Sequence, residues 1–286
     1  MATFNTTRLL SQVTLKGALP DGRFEDSEIL DLATDALVAE IAPMLIAARE
    51  EFFVRTKDYT ITADQAEYLL PTRAVGSSLR EVKLIRGTTI VDLPRMDPED
   101  MDSTESGTPS SFYLQGDNIV LYPTPDTTTN TLRVTYFCRP SALVPVIDCA
   151  QITAINGTTL TLSVPTGWTT ADTFDVVRGD SSFGLKGMDL AASVVNTGDM
   201  TLMSVPDDTQ VGDWVCLAGE SCFPMIPADA HQLLVALTVV AALEALGDQT
   251  NLTPAATRAQ MLKDALKAVL TQRVQGAPRR FGTTLI

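Results

Sequence analysis

Apolar residues recur at three- and four-residue steps through Ile29, Leu30, Leu37, Ile41, Met44, Leu45 and Phe52. That spacing predicts a helix with one buried stripe, capped by Asp26 or Ser27. Pro43 falls inside the pattern, so the helix is expected to kink or divide there. The residues before it read as a polar arm. From Tyr59 to Pro94 the period shortens to that of strands, and Glu81–Arg86 and Thr89–Leu93 flank Gly87-Thr88 as a predicted hairpin. Residues 97–109 (DPEDMDSTESGTP) can open as one helical turn with Pro98 first, and otherwise read as an exposed acidic loop.

The strand pattern is clearest from Phe112 to Phe137. Gln115-Gly116-Asp117 is a tight turn between two short apolar runs, and the second run ends at Pro123 and Pro125, which cannot donate to a ladder. Thr127–Thr131 is polar loop. Leu132, Val134 and Tyr136 then alternate with Arg133, Thr135 and Phe137, giving one face to bury.

Residues 151–219 contain a weak internal repeat. The stretches ITAINGTTLTLSVPTGWTTADTFDVVRG and ASVVNTGDMTLMSVPDDTQVGDWVCLAG share an Asn turn, a Thr-Leu strand, Ser-Val-Pro, a polar turn, an Asp, an aromatic and a closing Gly. Neither unit can bury its apolar face alone, so the two are expected to pack together as one small barrel or sandwich. From Pro227 the pattern is helical again. Asp229 is the expected cap of a helix ending at Gly247. Thr253 with Pro254 opens a second, carrying Met261, Leu262, Leu266, Val269 and Leu270 to about Val274. The last residues, 278–286, have no periodicity.

The fold class these elements give is α+β: a helical body, a β-platform and a small inserted all-β domain. The expected division is 1–145 for the N-terminal helix and platform, 146–222 for the β-domain, and 223–286 for the C-terminal helices and tail.

Charge narrows the function. Acidic residues outnumber basic ones 35 to 21, a net charge of −14. A protein that grips phosphates needs clustered Lys and Arg, and here only Arg279-Arg280 pair up. Cys138, Cys149, Cys216 and Cys222 show no CxxC spacing and read as free thiols. The N-terminus lacks a secretory h-region, and the apolar run Leu233–Leu243 is too short for a membrane span, so it reads as a buried helix and no membrane partner is expected.

Chemistry is thin. The single histidine, His231, lies in the first turn of an apolar helix with no G-x-S-x-G elbow to partner it, and reads as structural. Residues 179–187 (GDSSFGLKG) approach a phosphate loop, but Lys186 is displaced by one position and Gly187 stands where Ser or Thr belongs, so a β-turn is expected. The tripeptide Arg178-Gly179-Asp180 and the sequons at Asn5, Asn156 and Asn251 carry no information without an extracellular context. Asp97, Glu99, Asp100, Asp102 and Glu105 do not follow the calcium-loop spacing, which favours a solvated acidic loop over a metal site. No catalytic residue, cofactor or metal is assigned.

A turn at Gly116-Asp117, a strand ending in Tyr-Pro-Thr-Pro at 122–125, and the strand Leu-Arg-Val-Thr-Tyr at 132–136 followed by Arg139-Pro140 together resemble the head–tail adaptor (head-completion or connector) proteins of tailed bacteriophages. Phe24–Phe53 with its Ala-Arg-Glu-Glu-Phe-Phe ending, Gln65–Arg80 and Leu217–Asp248 are similar to the same family. The resemblance implies a structural virion protein at the head–tail junction, made in the host bacterial cytoplasm and not an enzyme. Such a subunit forms a ring, commonly dodecameric, beneath the portal protein. It extends the DNA channel, lets genomic DNA pass without specific binding, and docks the next neck or tail protein. It also implies that the tail reaches into the portal, which makes Arg279, Arg280, Phe281, Leu285 and Ile286 the portal-binding candidates. The five acidic residues of 97–105 are the candidates for the channel lumen. Two alternatives stand beside this reading: a tail or baseplate β-domain that binds host glycan through Trp168 and Trp214, and a hydrolase with an unrecognised acidic site.

Overall fold

A computed structural model describes residues 4–20, 22–48, 52–100, 105–179 and 184–271. The fold is α+β, with helices beside mainly antiparallel sheets. The chain forms two compact units, one of Met1–Arg49 with Pro140–Ile286 and one of Glu50–Arg139. The sequence division at 145/146 and 222/223 is a different partition and stands as a proposal about independently folding pieces.

In the first unit, the residues read as a polar arm form a helix, α1 (Thr6–Gly17). Asn5 caps it, its Oδ1 accepting from the Arg8 N–H at 3.1 Å. Thr6, Leu9, Val13 and Gly17 make the buried stripe. Only two of those four are strongly apolar, which is why the period was faint. Gly17 permits a close approach: a Cβ there would lie 3.1 Å from Leu19 and 3.5 Å from Val239.

The helix α2 (Asp26–Ala36) starts from Glu25, one residue before the expected cap, because Glu25 and Glu28 form a reciprocal capping box in which the Glu25 N–H donates to Glu28 Oε2 at 2.8 Å. Pro43 does not break the helical run after α2. Residues Leu37–Ile41 widen into a π-turn, with the Ala42 N–H reaching Leu37 O, and α3 (Ala42–Ala48) continues directly. The carbonyl four residues before Pro43 belongs to Ala39, inside the widened turn, where the proline ring would otherwise collide with a regular helix. Ile29, Leu30, Leu37, Ile41 and Leu45 are buried as the spacing requires.

The helix α4 (His231–Leu246) is apolar on nearly all sides and is packed by α1, α2 and α5 (Gln249–Thr271). Residues 228–246 are long and apolar enough to cross a membrane by length and composition, yet most of them are buried within this unit. Asp229 does not cap α4; the helix is approached through a 3-10 turn, Ala228–Ala230, and ends at Gly247 in the left-handed region, φ +71°. Nor does α5 begin at Pro254. Asp248 Oδ1 accepts from the N–H groups of Thr250 and Asn251, each at 3.2 Å, and starts the helix earlier. Pro254 then falls in its second turn, where the unpaired carbonyl is that of the exposed Thr250.

The second unit holds β1 (Val54–Thr60), β2 (Glu67–Leu69), β3 (Ala74–Arg86), β4 (Thr89–Asp92), β5 (Ser106–Gly107), β6 (Ser111–Gln115), β7 (Asn118–Tyr122), β8 (Thr124–Pro125) and β9 (Thr131–Cys138). The main sheet runs β1-β9-β3-β4, all antiparallel; a second runs β2-β7-β6, and β5 pairs β8 in parallel. The expected hairpin is β3–β4, with Arg86 opposite Thr89. Leu132 and Val134 of β9 meet Val82, Leu84, Ile119 and Leu121 in one core. On the other face Arg133 holds Asp58 in a bidentate pair at 2.8 and 2.7 Å.

The inserted strands of the first unit are β10 (Ala142–Leu143), β11 (Ala150–Gln151), β12 (Ala154–Asn156), β13 (Thr159–Thr161), β14 (Thr173–Val177), β15 (Leu185–Val195), β16 (Asp199–Leu202), β17 (Trp214–Leu217) and β18 (Glu220–Ser221). Their order is β11-β17-β14-β15-β16-β13-β12. The two ends of that order are joined by Ile152 and Thr153. Ile152 bonds to Gly212 and Asp213 on one side, and the Thr153 N–H bonds to Thr161 O at 2.8 Å on the other, so the sheet closes into a barrel.

The repeat explains the pairing. Leu160 sits opposite Met200, 40 residues on, with Thr159 opposite Thr201 and Thr161 opposite Asp199. Likewise Phe174 faces Leu217 and Val177 faces Trp214. Two strands of the first repeat, β13 and β14, thus pair with their repeat partners β16 and β17, and Leu160, Leu162, Phe174, Val176, Met200, Leu202 and Val215 fill one interior. The chain ends of the barrel are brought together by β10 and β18, which pair in parallel.

Candidate functional site

Assembly proteins work through surfaces, and the apolar residues of α5 divide into two rows. Leu266 and Leu270 are buried with Ala259, Leu262 is half-buried, but Met261 is 67 % exposed and Val269 43 %. Rows 262-266-270 and 261-265-269 lie one residue apart, about 100° around a helix. α5 is therefore apolar over a wider arc than α3 and α4 cover. The periodicity assigns all five apolar residues to one helix without dividing them; the spacing of Met261 and Val269, out of step with Leu262, Leu266 and Leu270, is the signal that separates the exposed row from the buried one. Lys263, on the same helix, pairs with Glu40 at 2.8 Å.

In the second unit β4 ends its sheet, and Ile90 at its middle is 58 % exposed beside an exposed Val91. An apolar strand with an open edge is a pairing template. The acidic loop belongs to the same unit. Asp97, Glu99 and Glu105 are exposed; Pro98–Asp100 form a 3-10 turn, with Asp97 Oδ1 accepting from the Glu99 N–H at 3.3 Å. The side chain of Asp100 and all of Asp102 lie outside the described residues, as do Arg279, Arg280, Phe281, Leu285 and Ile286.

The groups that sequence reading weighed for chemistry are engaged elsewhere. Lys186 is occupied within the protein rather than offered to a phosphate: its side chain is 5 % exposed and its Nζ donates to Asp213 Oδ2 at 2.7 Å and Asp208 O at 2.5 Å. Asp213 also accepts from the N–H groups of Gln210 and Gly179, and a strand, not a helix, follows from Leu185. Gly179 is itself a packing glycine, since a Cβ there would overlap Gly212 O. Its repeat partner Gly219 is glycine for another reason, a φ of +88°.

Trp168 tilts onto Phe174 at 5.1 Å and Trp214 meets Phe223 edge-on at 5.8 Å. Both are half-buried in packed clusters, not arrayed on a common sugar-binding face. The shifted titratable groups follow burial. Tyr59 is pushed up to about 12 by burial, its hydroxyl donating to Leu69 O at 2.6 Å. Glu220 is raised by burial and then by Asp148. His231 is lowered to about 4, chiefly by burial. None of these neighbours another in the manner of a nucleophile and its base.

No curated protein matches the chain significantly. The sequence pattern of the SU10 adaptor protein family does match, over residues 7–172, from α1 through the second unit and into the barrel. That span exceeds half of the 286 residues. The chain belongs to the SU10 adaptor family of phage head–tail adaptors, structural components of the virion.

Proposed function

We propose that this adaptor acts as one subunit of a ring, dodecameric, seated beneath the portal protein at the head–tail junction. It lengthens the DNA channel and presents a platform to the next neck or tail protein. The observation that carries this reading is the family match across residues 7–172. The role is assembly, with no reaction to catalyse, and it needs surfaces that only a neighbour would cover. The outer row of α5, Met261 and Val269, supplies one between subunits. The net charge of −14 supports a passive channel, because duplex DNA carries about one negative charge per 1.7 Å of axis and an acidic wall forms no tight phosphate contacts.

The portal contact is assigned to the C-terminal tail, where Arg279, Arg280, Phe281, Leu285 and Ile286 combine charge with apolar anchors. Deleting 277–286 is expected to leave the melting temperature unchanged and to abolish binding to portal; undiminished binding removes the tail from the contact. In the three-piece division of the chain, ring contacts fall to 1–145 and 223–286, and the barrel of 146–222 is an addition. The decisive experiment is native mass spectrometry with and without portal protein of the same phage. A ring is expected in at least one condition, and a monomer in both would overturn the proposal.

A further inference from the structure

Three buried thiols converge where the barrel joins the rest of its unit. Cys149 precedes β11, Cys216 lies on β17 and Cys222 follows β18, and their three Sγ atoms all lie within 4.8 Å of one another. The register explains the first pair: Ala150 is opposite Val215, so Cys149 and Cys216 occupy the next step of the same ladder. Cys222 is held from outside by the Thr6 N–H, which donates to its carbonyl at 2.9 Å. All three are free thiols. Sequence spacing hides the group, since 66 residues separate Cys149 from Cys216.

The surroundings select the kind of ion. Val177, Leu185, Phe223 and Trp214 wall the cluster, and the other heteroatoms packed there include the thioethers of Met188 and Met225. Among the described residues, no carboxylate or imidazole joins the three thiols in a common ligand group. Thiolate donors suit zinc and Cu(I) alike, but structural zinc takes four ligands in a tetrahedron, whereas Cu(I) accepts three sulfurs in a plane, the number this group offers. A metal–sulfur bond of about 2.3 Å sets trigonal sulfurs about 4 Å apart, so closure requires shifts below about 1 Å.

We propose that Cys149, Cys216 and Cys222 bind one soft monovalent cation, Cu(I), which staples the incoming and outgoing chain ends of the barrel. Bound through two thiolates and the third sulfur as a neutral thiol, the ion releases two protons and leaves one net negative charge at the site. Without the ion the thiols are protonated at neutral pH. Cys216 is raised by burial and then by its hydrogen bond with Cys149; in Cys149 and Cys222 the lowering effect of one thiol partner is outweighed by the other partner and by burial. Affinity therefore increases with pH, because the ion competes with protons.

The test is anaerobic titration of the full chain with Cu(I) held by bicinchoninate. One equivalent should transfer per chain and raise the melting temperature, and Cys138→Ser should behave as the wild type. Cys149→Ser and Cys222→Ser should each lose transfer and the thermal gain. Should these variants fold poorly, N-ethylmaleimide labelling of the wild type in mild denaturant provides a second readout, with copper expected to protect three of the four thiols. No transfer, transfer undiminished in both variants, labelling unaffected by copper, or a disulfide among the three in the purified chain would each overturn the proposal.

Discussion

The imidazole of His231 lies flat on the ring of Phe4, centroids 4.2 Å apart and planes 11° from parallel, which joins the start of α4 to the residue before the cap of α1. The stack sits in the interior: Phe4 and His231 are both buried, and Nε2 of the imidazole has no hydrogen-bond partner. A charged imidazolium is disfavoured there by burial and, to a lesser degree, by Arg8. The group is thus a neutral packing element that happens to be titratable.

Its pH dependence follows from the sign of the shift. The folded value is about 4 against an ordinary 6.5, so below pH 6.5 the unfolded chain takes up a proton that the folded chain refuses. Stability at this site is full above pH 6.5 and falls as pH drops toward 4, by at most about 3 kcal/mol. Because the chain has one histidine, its ring resonances in an NMR titration need no assignment. They should still report the neutral form at pH 5.5. The stability difference between wild type and His231→Phe should shrink over the same window; a resonance that titrates near pH 6.5 would refute this account.

The Lys186–Asp213 pair gives a second prediction. Both side chains are almost fully buried, and Asp213 accepts two backbone N–H groups besides. Removing only the cation in Lys186→Met leaves a buried carboxylate without its counter-charge, which costs about 3–5 kcal/mol. Chemical denaturation should show a loss of that order. A loss below about 1 kcal/mol would mean the lysine is dispensable and would reopen the anion-loop reading of 179–187.

How much of this was written plainly in the chain depends on where the determining force is local. The β3–β4 hairpin, the turn at Gly116-Asp117 and the alternation along β9 were legible because period and turn chemistry act within a few residues. The repeat at 151–219 announced two units that must pack together, and the barrel meets that expectation. It did not announce that Leu160 would face Met200, because pairing between copies is a tertiary choice. α1 was missed because Thr6 and Gly17 complete its stripe and neither is strongly apolar. The start of α5 was misplaced because a helix tolerates Pro254 near its exposed N-terminal end as readily as at its first position. The cysteine cluster was invisible in spacing, since β11 and β17 meet only when the barrel closes.

Subunit contact through α5 is directly testable. Met261 and Val269 face water in the single chain, so Met261→Glu with Val269→Glu should change monomer stability by no more than about 0.5 kcal/mol per site. If this row packs against a neighbouring copy, two buried charges per contact should abolish the ring in native mass spectra, with or without portal. A ring that persists in the double variant moves the contact elsewhere, with the open edge at β4 and its exposed Ile90 as the next surface to alter.

The acidic loop bears on DNA passage. Asp97, Glu99 and Glu105 are exposed to solvent. If they face the lumen, as we propose, they keep the wall from gripping phosphates, and the assembled ring should show no measurable duplex affinity at about 150 mM salt. Non-specific binders with basic surfaces reach roughly 10⁻⁴ to 10⁻⁶ M under such conditions. Replacing Asp97, Glu99, Asp100, Asp102 and Glu105 by their amides should slow DNA ejection from the particle without lowering ring yield. Unchanged ejection places the loop on the outer surface. Tight duplex binding by the wild-type chain, with a steep loss of affinity as salt rises, would contradict the passive channel altogether, because such a slope counts phosphates held by Lys and Arg.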